Sequence, residues 1–482
     1  MRVVPVVPIV LALAGCGPPP GDEASGSGSS GGAETGAPTT GGVDETSGGS
    51  SSGASTAETG SSGESGETGS TSEAGELTTG SEGSDTGMVP PGCEEVKVAD
   101  PSLEAAIRKA LKLPDGPITG RAALELESLY GIADLPPVAS FEGLQCFTNL
   151  DWLEPGPSVV SDLGPLAELD ELGALVLSGS EVSDLSPLSG SSVYVLEVTA
   201  SPLADLGPVA TMPKLHTLRF SQTLVTDLTP LAGHPALLRV TANGTQLGDL
   251  SPLATIPELT WLWLVGCGLS EIDGLAGAPG LVELYLDDNL LVELDALAGM
   301  AQLVRLEANG NLIADIQGVA MLDQLEVLHL ADNVIMSLKP LAGATGLEEL
   351  VVDGNPLQGL EGIEALPLDG LSAADAGLEV LLPVGPETLF WLNVSGNAIP
   401  SLAPLAGHVV LQSVSAEGNA ITSLKDIETA WWVEFCTQLR LTDNPLDDET
   451  LTTTIPAFCA LDMVVSWSGG SCMPDGINCF EN

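Results

Sequence analysis

One stretch of the chain, LVELYLDDNLLVELDALAG at residues 281–299, decides the fold of the protein. Its two successors, LVRLEANGNLIADIQGVAM and LEVLHLADNVIMSLKPLAG, begin at Leu303 and Leu325, so the three copies are 22 residues apart. In each copy the apolar residues keep the same offsets from an asparagine, which is Asn289, Asn311 or Asn333. A single copy cannot bury its own apolar face, so this spacing predicts structural units that stack on one another.

The same pattern extends in both directions over residues 150–445. Asn355 continues the step, Asn397 and Asn419 resume it after one degenerate copy, and Asn444 ends it. Towards the N-terminus, in steps of 21 or 22 residues, the asparagine position is held by Cys267, Thr245, Thr223, Ser201, Ser180 and Ser158. The period and the leucine offsets identify about fourteen leucine-rich repeats.

Each repeat predicts one strand and one tight turn. Alternating Leu284 and Leu286 favour a short strand, and successive strands would form a parallel sheet on the concave side. The asparagine amide can satisfy backbone groups of the turning chain, which threonine, serine and cysteine do less completely. Many copies then carry Asp-Leu-x-Pro-Leu, as at residues 184–188, and proline suits the start of a short helical turn. The predicted fold is an α/β solenoid, a leucine-rich repeat horseshoe with short 3₁₀ or irregular convex segments.

The repeat period together with the Asp-Leu-x-Pro-Leu step resembles the internalin-like leucine-rich repeats of bacterial surface proteins. Upstream, residues 100–111, 117–119 and 141–150 are similar to the N-terminal cap of that family. Asp100 can cap a helix that begins at Pro101 and has Leu103, Ile107 and Leu111 on one face. The resemblance covers about 345 residues of this chain and implies the fold, but it implies no particular partner.

The charge of the chain restricts its partners. There are 13 Lys and Arg against 66 Asp and Glu, which gives a formal net charge of −53. Nothing in such a chain could neutralise a row of phosphates, so nucleic acid is excluded as a partner. The same charge disfavours electrostatic binding to an anionic lipid surface.

The first residues predict a lipid anchor. The apolar run from Val3 to Ala14 is too short to span a bilayer, and it ends at Gly15-Cys16. The segment Leu13-Ala14-Gly15-Cys16 resembles the lipobox of bacterial lipoproteins, in which the cysteine is acylated; the alternative is an ordinary signal peptide with an incidental cysteine. Membrane contact would then be made only through the lipid on Cys16.

The chain therefore divides into five segments. Residues 1–15 would be the signal peptide, and residues 16–92 a disordered acidic tether, since 48 of the 76 residues from Gly17 to Gly92 are Ser, Gly or Thr. Residues 93–149 would be the N-terminal cap, 150–445 the repeats and 446–482 the C-terminal cap.

The cysteines fall near the predicted caps. Cys93 precedes the cap helix and Cys146 lies where the cap meets the first repeat, so the two are expected to pair. At the other end Cys436 takes a leucine position, which favours Cys436–Cys459 with Cys472–Cys479 as a tail loop, and Cys459–Cys472 is the alternative. Cys267, in an asparagine position, is expected to be a free buried thiol.

No pattern indicates an enzyme. The chain lacks a Cys-x-x-Cys pair, a zinc-protease helix motif, a nucleophile elbow and a phosphate loop. Asp287-Asp288 and Asp447-Asp448 lack the ligand spacing of a calcium loop and are interpreted as a solvated acidic edge or helix start, so no metal and no cofactor are expected. His234 and His408 share one convex position and are expected to face solvent.

The candidate site residues are those that the strands should direct away from the leucines. Trp152, Trp261, Trp263, Trp391, Tyr194, Tyr285 and Phe390 occupy such positions, as do Arg219, Arg239, Arg305 and Arg440. Aromatic and arginine side chains on one exposed surface are the composition of binding hot spots. The expected site has Trp261, Trp263 and Tyr285 at its centre, with Arg239, Arg305 and His329 beside them and Arg219 further along the sheet.

The expected function is that of a non-enzymatic, monomeric lipoprotein of the bacterial cell envelope, on the outer membrane or cell surface, whose concave face binds a protein, with a glycan as a variant. The alternative is a structural envelope protein that makes lateral contacts without a specific ligand, in which exposed aromatics only stabilise the sheet. Binding predicts that the residue type varies from repeat to repeat, and Arg219, Trp263, Tyr285, Glu307 and His329 are expected to follow one another in one column.

Overall fold

Short parallel strands recur once per repeat along the computed structural model, which describes residues 88–473 except 131–134, 386, 431, 434 and 435. Two strands in the N-terminal cap, β1 (Glu95–Val96) and β2 (Ile118–Thr119), form a separate antiparallel pair. The strands of the main parallel sheet, β3 to β18, are Ser128–Tyr130, Trp152–Glu154, Ala174–Val176, Val195–Glu197, Thr217–Arg219, Arg239–Thr241, Trp261–Trp263, Glu283–Tyr285, Arg305–Glu307, Val327–His329, Glu349–Val351, Gly370–Ser372, Trp391–Asn393, Ser413–Ser415, Gln438–Arg440 and Val464–Trp467.

The sheet follows the chain order. Each strand pairs in parallel with the next one along the chain, as Leu284 of β10 does with Leu262 of β9 and Leu306 of β11. A last strand, β19 (Gly470–Cys472), pairs antiparallel with β18. Within the described residues no pairing joins β19 to β3, so the sheet is open at both ends. This is the predicted solenoid, with its sheet one parallel strand longer at each end than the repeat segment 150–445.

The leucines form the core, as the offsets predict. In β10 the middle residue Leu284 is fully buried while Glu283 and Tyr285 on either side of it are half-buried. Leu286, Leu291 and the other repeat leucines join one apolar cluster that runs from Cys93 to Val465. Burial of a leucine contributes about 1.5–3 kcal/mol, so the stacked columns of these side chains hold the coils together.

The convex side consists of short turns, which confirms the predicted fold. Asp184 accepts a hydrogen bond from the backbone N–H of Ser186 at 2.8 Å, and Pro187 is the second residue of the turn that follows. The turns are Leu144–Cys146, Gly164–Leu166, Ser186–Leu188, Gly207–Thr211, Thr229–Leu231, Asp273–Leu275, Asp295–Leu297, Gln317–Val319, Lys339–Gly343, Ala403–Gly407 and Lys425–Ile427, all 3₁₀. A short α-helix, Ser251–Ala254, takes the same place in one repeat.

The asparagines satisfy backbone groups of two repeats at once. The Nδ2 of Asn311 donates to the carbonyl oxygens of Leu286 at 3.0 Å and Ala308 at 3.1 Å, and its Oδ1 accepts from the N–H of Leu291 at 3.0 Å. In the same position Thr245 donates one bond, to Phe220, and accepts one. The prediction that threonine fills this role less completely agrees with these contacts.

A left-handed backbone position precedes each asparagine, and two residue types share it. Asp288 (φ 57°) and Gly310 (φ 65°) occupy it in neighbouring repeats, and Asp332 and Gly354 repeat the alternation. A Cβ at Gly310 would lie 2.7 Å from the Oδ1 of Asp288. The aspartate of one repeat therefore occupies the space that only a glycine leaves free in the next.

The N-terminal cap is built around two helices. The first, Pro101–Leu111, begins after Asp100, whose Oδ1 accepts from the backbone N–H groups of Ser102 at 2.8 Å and Leu103 at 3.0 Å. The second helix is Gly120–Ala123. Leu103 lies fully inside the apolar cluster, as expected for one apolar helix face. A disulfide joins Cys93 to Cys146, the pair that the sequence places at this end.

The C-terminal cap contradicts the favoured disulfide pairing. A π-helical turn, Thr450–Thr454, leads into a short helix, Ile455–Cys459. Cys459 is bonded to Cys472, not to Cys436, because β19 turns back on β18 and brings Cys472 to the end of the helix. Cys436 is also disulfide-bonded, and Cys479 lies outside the described residues. Within these residues Cys267 is the free cysteine, and it is buried as expected.

The expectation that His234 and His408 face solvent is wrong, because both side chains are buried between convex turns. The Nε2 of His234 lies 3.0 Å from the carbonyl oxygen of Met212, and the Nε2 of His408 lies 2.8 Å from that of Val384. Burial lowers the pKa of His234 although that carbonyl contact opposes the shift. The ring links each turn to the preceding repeat.

None of the helices in the described part of the chain has the length and apolarity needed to cross a membrane.

Candidate functional site

On the concave surface of the sheet the first and third residues of each strand form two rows, and from β8 to β13 these side chains are half-buried. In the first row Arg239, Trp261, Glu283 and Arg305 are neighbours in register. In the second row the neighbours are Thr241, Trp263, Tyr285, Glu307 and His329. We call the following residues the concave patch: Arg239, Trp261, Trp263, Glu283, Tyr285, Arg305, Glu307 and His329.

Two aromatic rings stack in the centre of the concave patch. The ring centroids of Trp263 and Tyr285 are 5.0 Å apart and their planes differ by 8°. The hydroxyl of Tyr285 donates to the Oε2 of Glu283 at 2.7 Å. Burial raises the pKa of Tyr285, and the bond to Glu283 and its charge raise it further, so the phenol stays neutral and remains a donor.

Carboxylates lie within hydrogen-bond distance of three of the basic side chains on this face. Arg305 pairs with Glu307 at 3.0 Å. The Nε2 of His329 lies 2.9 Å from the Oε1 of Glu349. Further along the sheet the guanidinium of Arg219 lies 3.1 Å from the Oε2 of Glu197.

Arg239 stacks on an aromatic ring and has no carboxylate partner among the described residues. Its guanidinium carbon lies 4.0 Å from the ring centroid of Trp261, within cation–π range. Within the described residues no carboxylate lies within ion-pair distance of it, and its side chain makes no hydrogen bond.

The structure brings together most of the expected site residues, but not all of them. The three central aromatics and Arg239, Arg305 and His329 lie on five consecutive strands, β8 to β12. Arg219 does not directly precede Trp263 in the column, because Thr241 stands between them. Trp391 and Arg440 lie on the same concave face but line a separate shallow hollow near its C-terminal end.

The pairing of these bases with carboxylates was missed by reasoning from the sequence. Glu307, Glu349 and Glu197 occupy the same rows as the bases, so the 22-residue register already contained the signal. Glu307 was expected in this column only as one of its varying residues, and Glu197 and Glu349 were not predicted as partners of the bases.

An exposed apolar ridge on the flank of the solenoid was also missed. It follows the asparagine position in three consecutive repeats, and its side chains are 44–53% exposed. Its members are Leu290, Val292, Leu312, Val334 and Met336. These repeats overlap those of the concave patch, and the signal was an apolar residue one or three positions after the asparagine.

In the described part of the chain, no group of three or more His, Cys, Asp and Glu side chains could hold a metal ion. The stacked rings, the paired charges and the stacked Arg239 are contacts suited to recognition.

Comparisons with known proteins agree with this architecture. No protein-family model matches the sequence, and no curated protein matches it either. Among solved structures, an internalin (inlF) of Listeria monocytogenes is 23% identical over 76% of this chain and 95% of its own, with a TM-score of 0.53. A leucine-rich repeat protein of Leptospira interrogans is 17% identical over 66% of this chain and 91% of its own, with a TM-score of 0.55.

A third solved structure adds to this likeness. The functional domain of InlJ from Listeria monocytogenes is 18% identical over 71% of this chain and 80% of its own, with a TM-score of 0.52. At such identities the likeness concerns the fold, and this chain has the internalin-like leucine-rich repeat fold.

Proposed function

We propose that this chain, with its internalin-like leucine-rich repeat fold, is a non-enzymatic cell-envelope protein whose concave patch binds a protein partner in recognition or adhesion. The observation that carries the proposal is the half-buried aromatic cluster of Trp261, Trp263 and Tyr285 on the concave surface. The leucine columns already seal the core without these rings. Aromatic anchors of this kind dominate the binding energy of protein interfaces.

The variety of residues along the rows supports binding. The second row changes from Thr241 through Trp263, Tyr285 and Glu307 to His329 over five repeats. A surface that only packed against copies of itself would need no such change from one repeat to the next. A glycan is a variant of the same proposal, since exposed indole rings also stack on sugars.

One observation favours the structural alternative. The Trp263–Tyr285 stack and the His329–Glu349 pair both join neighbouring strands. Such cross-strand pairs contribute about 0.2–1 kcal/mol each to a sheet, so they could serve stability alone. The experiment below separates the two interpretations.

The envelope role and the anchor are part of the proposal. Cys16 and the greater part of the tether lie outside the described residues, so this part rests on the residues around Cys16 alone. Lipid on Cys16 would hold the chain at the outer membrane or cell surface. A net charge of −53 also favours a monomer, because two such chains repel each other.

The test uses Trp263→Ala in the full chain. A partner is first identified by cross-linking and pull-down from envelope extract with the unaltered protein, and its Kd is then measured for the variant. The lost stack should lower stability by only about 1 kcal/mol. Binding should weaken by about 2 kcal/mol or more if Trp263 is a hot spot.

Trp391→Ala provides the matched control, since Trp391 is a half-buried tryptophan on the same face but outside the concave patch. It should leave the Kd of the partner unchanged. If Trp263→Ala instead unfolds the solenoid while the folded fraction binds normally, Trp263 is structural and the site lies elsewhere.

A further inference from the structure

We infer that Arg239 and Trp261 form a subsite for a carboxylate group, supplied by an acidic side chain of the protein partner next to an apolar one. This inference rests on the proposed binding function of the concave patch and adds the chemistry that the partner must present. Its basis is the difference between Arg239 and the two other bases of the concave patch, Arg305 and His329.

The guanidinium of Arg239 is positioned but not neutralised. It lies 4.0 Å from the ring centroid of Trp261. Arg219, Arg305 and His329 each have a carboxylate at 3.1 Å or closer. The described residues offer Arg239 no equivalent acid, because its neighbours in register are Thr217 and Trp261.

Residues 93–482 carry 54 acids against 12 bases, and within the concave patch Arg305 and His329 each lie beside a carboxylate, whereas Arg239 does not. The stack on Trp261 restricts the motion of the Arg239 side chain, which lowers the entropy lost when a ligand binds. The five N–H donors of the guanidinium remain available, and their fork matches a carboxylate in a bidentate pair.

The aromatic surface beside Arg239 indicates an apolar group as the second part of the ligand. Trp261 and Trp263 belong to one strand and point to the same face, and Tyr285 stacks on Trp263. The two indole rings lie on the strand next to that of Arg239, and adjacent strands are about 5 Å apart. An apolar group that packs on these rings would therefore lie close to a carboxylate bound by Arg239. A carboxylate carries a single charge, which the one arginine can balance. A phosphate would bring further charge against Glu283 and Glu307.

The experiment titrates the full chain with N-acetylphenylalanine and with its neutral amide as the matched ligand. The readout is the indole N–H resonance of Trp261 in tryptophan-labelled protein, assigned with Trp261→Phe. The carboxylate should give a saturable shift, and the amide should bind at least about tenfold more weakly, since it lacks the charge that strengthens the hydrogen bonds from the guanidinium. Added salt should weaken the binding of the carboxylate ligand and leave the binding of the amide unchanged.

Arg239→Gln should reduce the affinity for the carboxylate to that of the amide, whereas Arg219→Gln, at a base that is already paired, should change neither. Equal binding of acid and amide, no change in Arg239→Gln, or no saturable shift with either ligand would each overturn the carboxylate subsite. The proposed function can still hold in those cases, because dependence of the partner's Kd on Trp263 tests it separately.

Discussion

Asp287 lies in an environment that disfavours its ionised form. Its Oδ1 accepts from the backbone N–H of Asn309 at 2.7 Å and from the Nδ2 of Asn309 at 2.9 Å. Burial raises the pKa of Asp287, and the nearby charge of Glu307 adds to the effect, although the bond from Asn309 opposes it. In the next repeat Asn309 holds the same place, and its neutral Oδ1 accepts from Ala331 at 2.7 Å.

We therefore expect Asp287→Asn to stabilise the protein at neutral pH. The folded-state pKa lies above the unfolded value, so the contribution of Asp287 to stability is fully present below the unfolded pKa, about 3.9, and is lost as the pH rises through the folded pKa. The amide removes that loss. Thermal unfolding at pH 7 should show a rise in Tm of about 1–2 °C.

The advantage should disappear near pH 3, where the aspartate is protonated. Asp447→Asn serves as the control with the opposite sign, because a hydrogen bond from the backbone N–H of Thr450 lowers the pKa of Asp447. That variant should lose stability at neutral pH. A gain for Asp287→Asn that persists unchanged at pH 3 would contradict the electrostatic cause.

Single residues were predictable from the sequence where the repeat offset alone decides their environment. The burial of Leu284 and the bonds of Asn311 follow from position within the repeat. The burial of His234 did not follow, because it depends on how one convex turn packs on the carbonyl oxygen of Met212 in the turn before it. That contact is made between repeats and has no counterpart in local polarity.

Adjacent repeats constrain one another through the left-handed position before the asparagine. Asp288 tolerates its positive φ, since aspartate is among the few residues other than glycine that adopt this conformation readily. Its carboxylate extends over Gly310 of the next repeat. The choice of residue in one strand-to-turn junction therefore depends on the junction before it.

Gly310→Ala should destabilise the solenoid by about 1–2 kcal/mol from its backbone conformation alone, with more from the contact between its new Cβ and the Oδ1 of Asp288. Chemical denaturation measures the loss. The double variant Asp288→Gly with Gly310→Ala should regain the stability lost through the contact with Asp288. Only the loss caused by the backbone conformation at position 310 should remain.

Asp288→Gly alone is the control and should be nearly neutral, because glycine adopts the same conformation freely. Equal losses for Gly310→Ala and the double variant would show that the aspartate contact contributes nothing.

The strands and the convex turns could be predicted from the sequence because each repeat encodes both. The disulfide pairing at the C-terminal end was predicted wrongly, because the repeat period stops there. The bond between Cys459 and Cys472 follows from the reversal of the chain between Val464–Trp467 and Gly470–Cys472. That hairpin lies beyond the last asparagine position, so spacing measured in repeats could not locate it.

The whole molecule combines an acidic solenoid with a predicted anchor. The sheet is open, each strand contacts its neighbours in the chain, and the two ends carry disulfide-bonded caps. The concave patch could be located from the sequence because it lies at fixed offsets on consecutive repeats. The register also places the acids beside the bases, but the pairs that form depend on side-chain conformation: Arg305 bonds to Glu307 of its own strand, and His329 contacts Glu349 of the next.

Cys16→Ser should remove the lipid anchor and give a soluble or an unprocessed form of the protein. Several acyl chains give stable anchoring, whereas a chain without them has only its acidic surface, which anionic lipids repel. Intact mass should show the variant without the lipid mass, and detergent phase partitioning should place its soluble form in the aqueous phase. Cys267→Ser, at the buried free thiol, is the control and should partition as the unaltered protein does.

The lipoprotein assignment fails if Cys16→Ser and the unaltered chain partition alike and neither carries added mass. The ordinary signal peptide would then be the better interpretation of the first residues.

The alternation of Asp288, Gly310, Asp332 and Gly354 also sets rules for changing the number of repeats. Deleting residues 289–310 would bring Asp288 and Asp332 into adjacent coils, with two carboxylates competing for one space. Deleting residues 267–288 would instead place Gly266 next to Gly310, and both accept the left-handed backbone. Shortened or lengthened versions of this solenoid should therefore be made in steps of two repeats through this region, or by removing only copies that carry the aspartate.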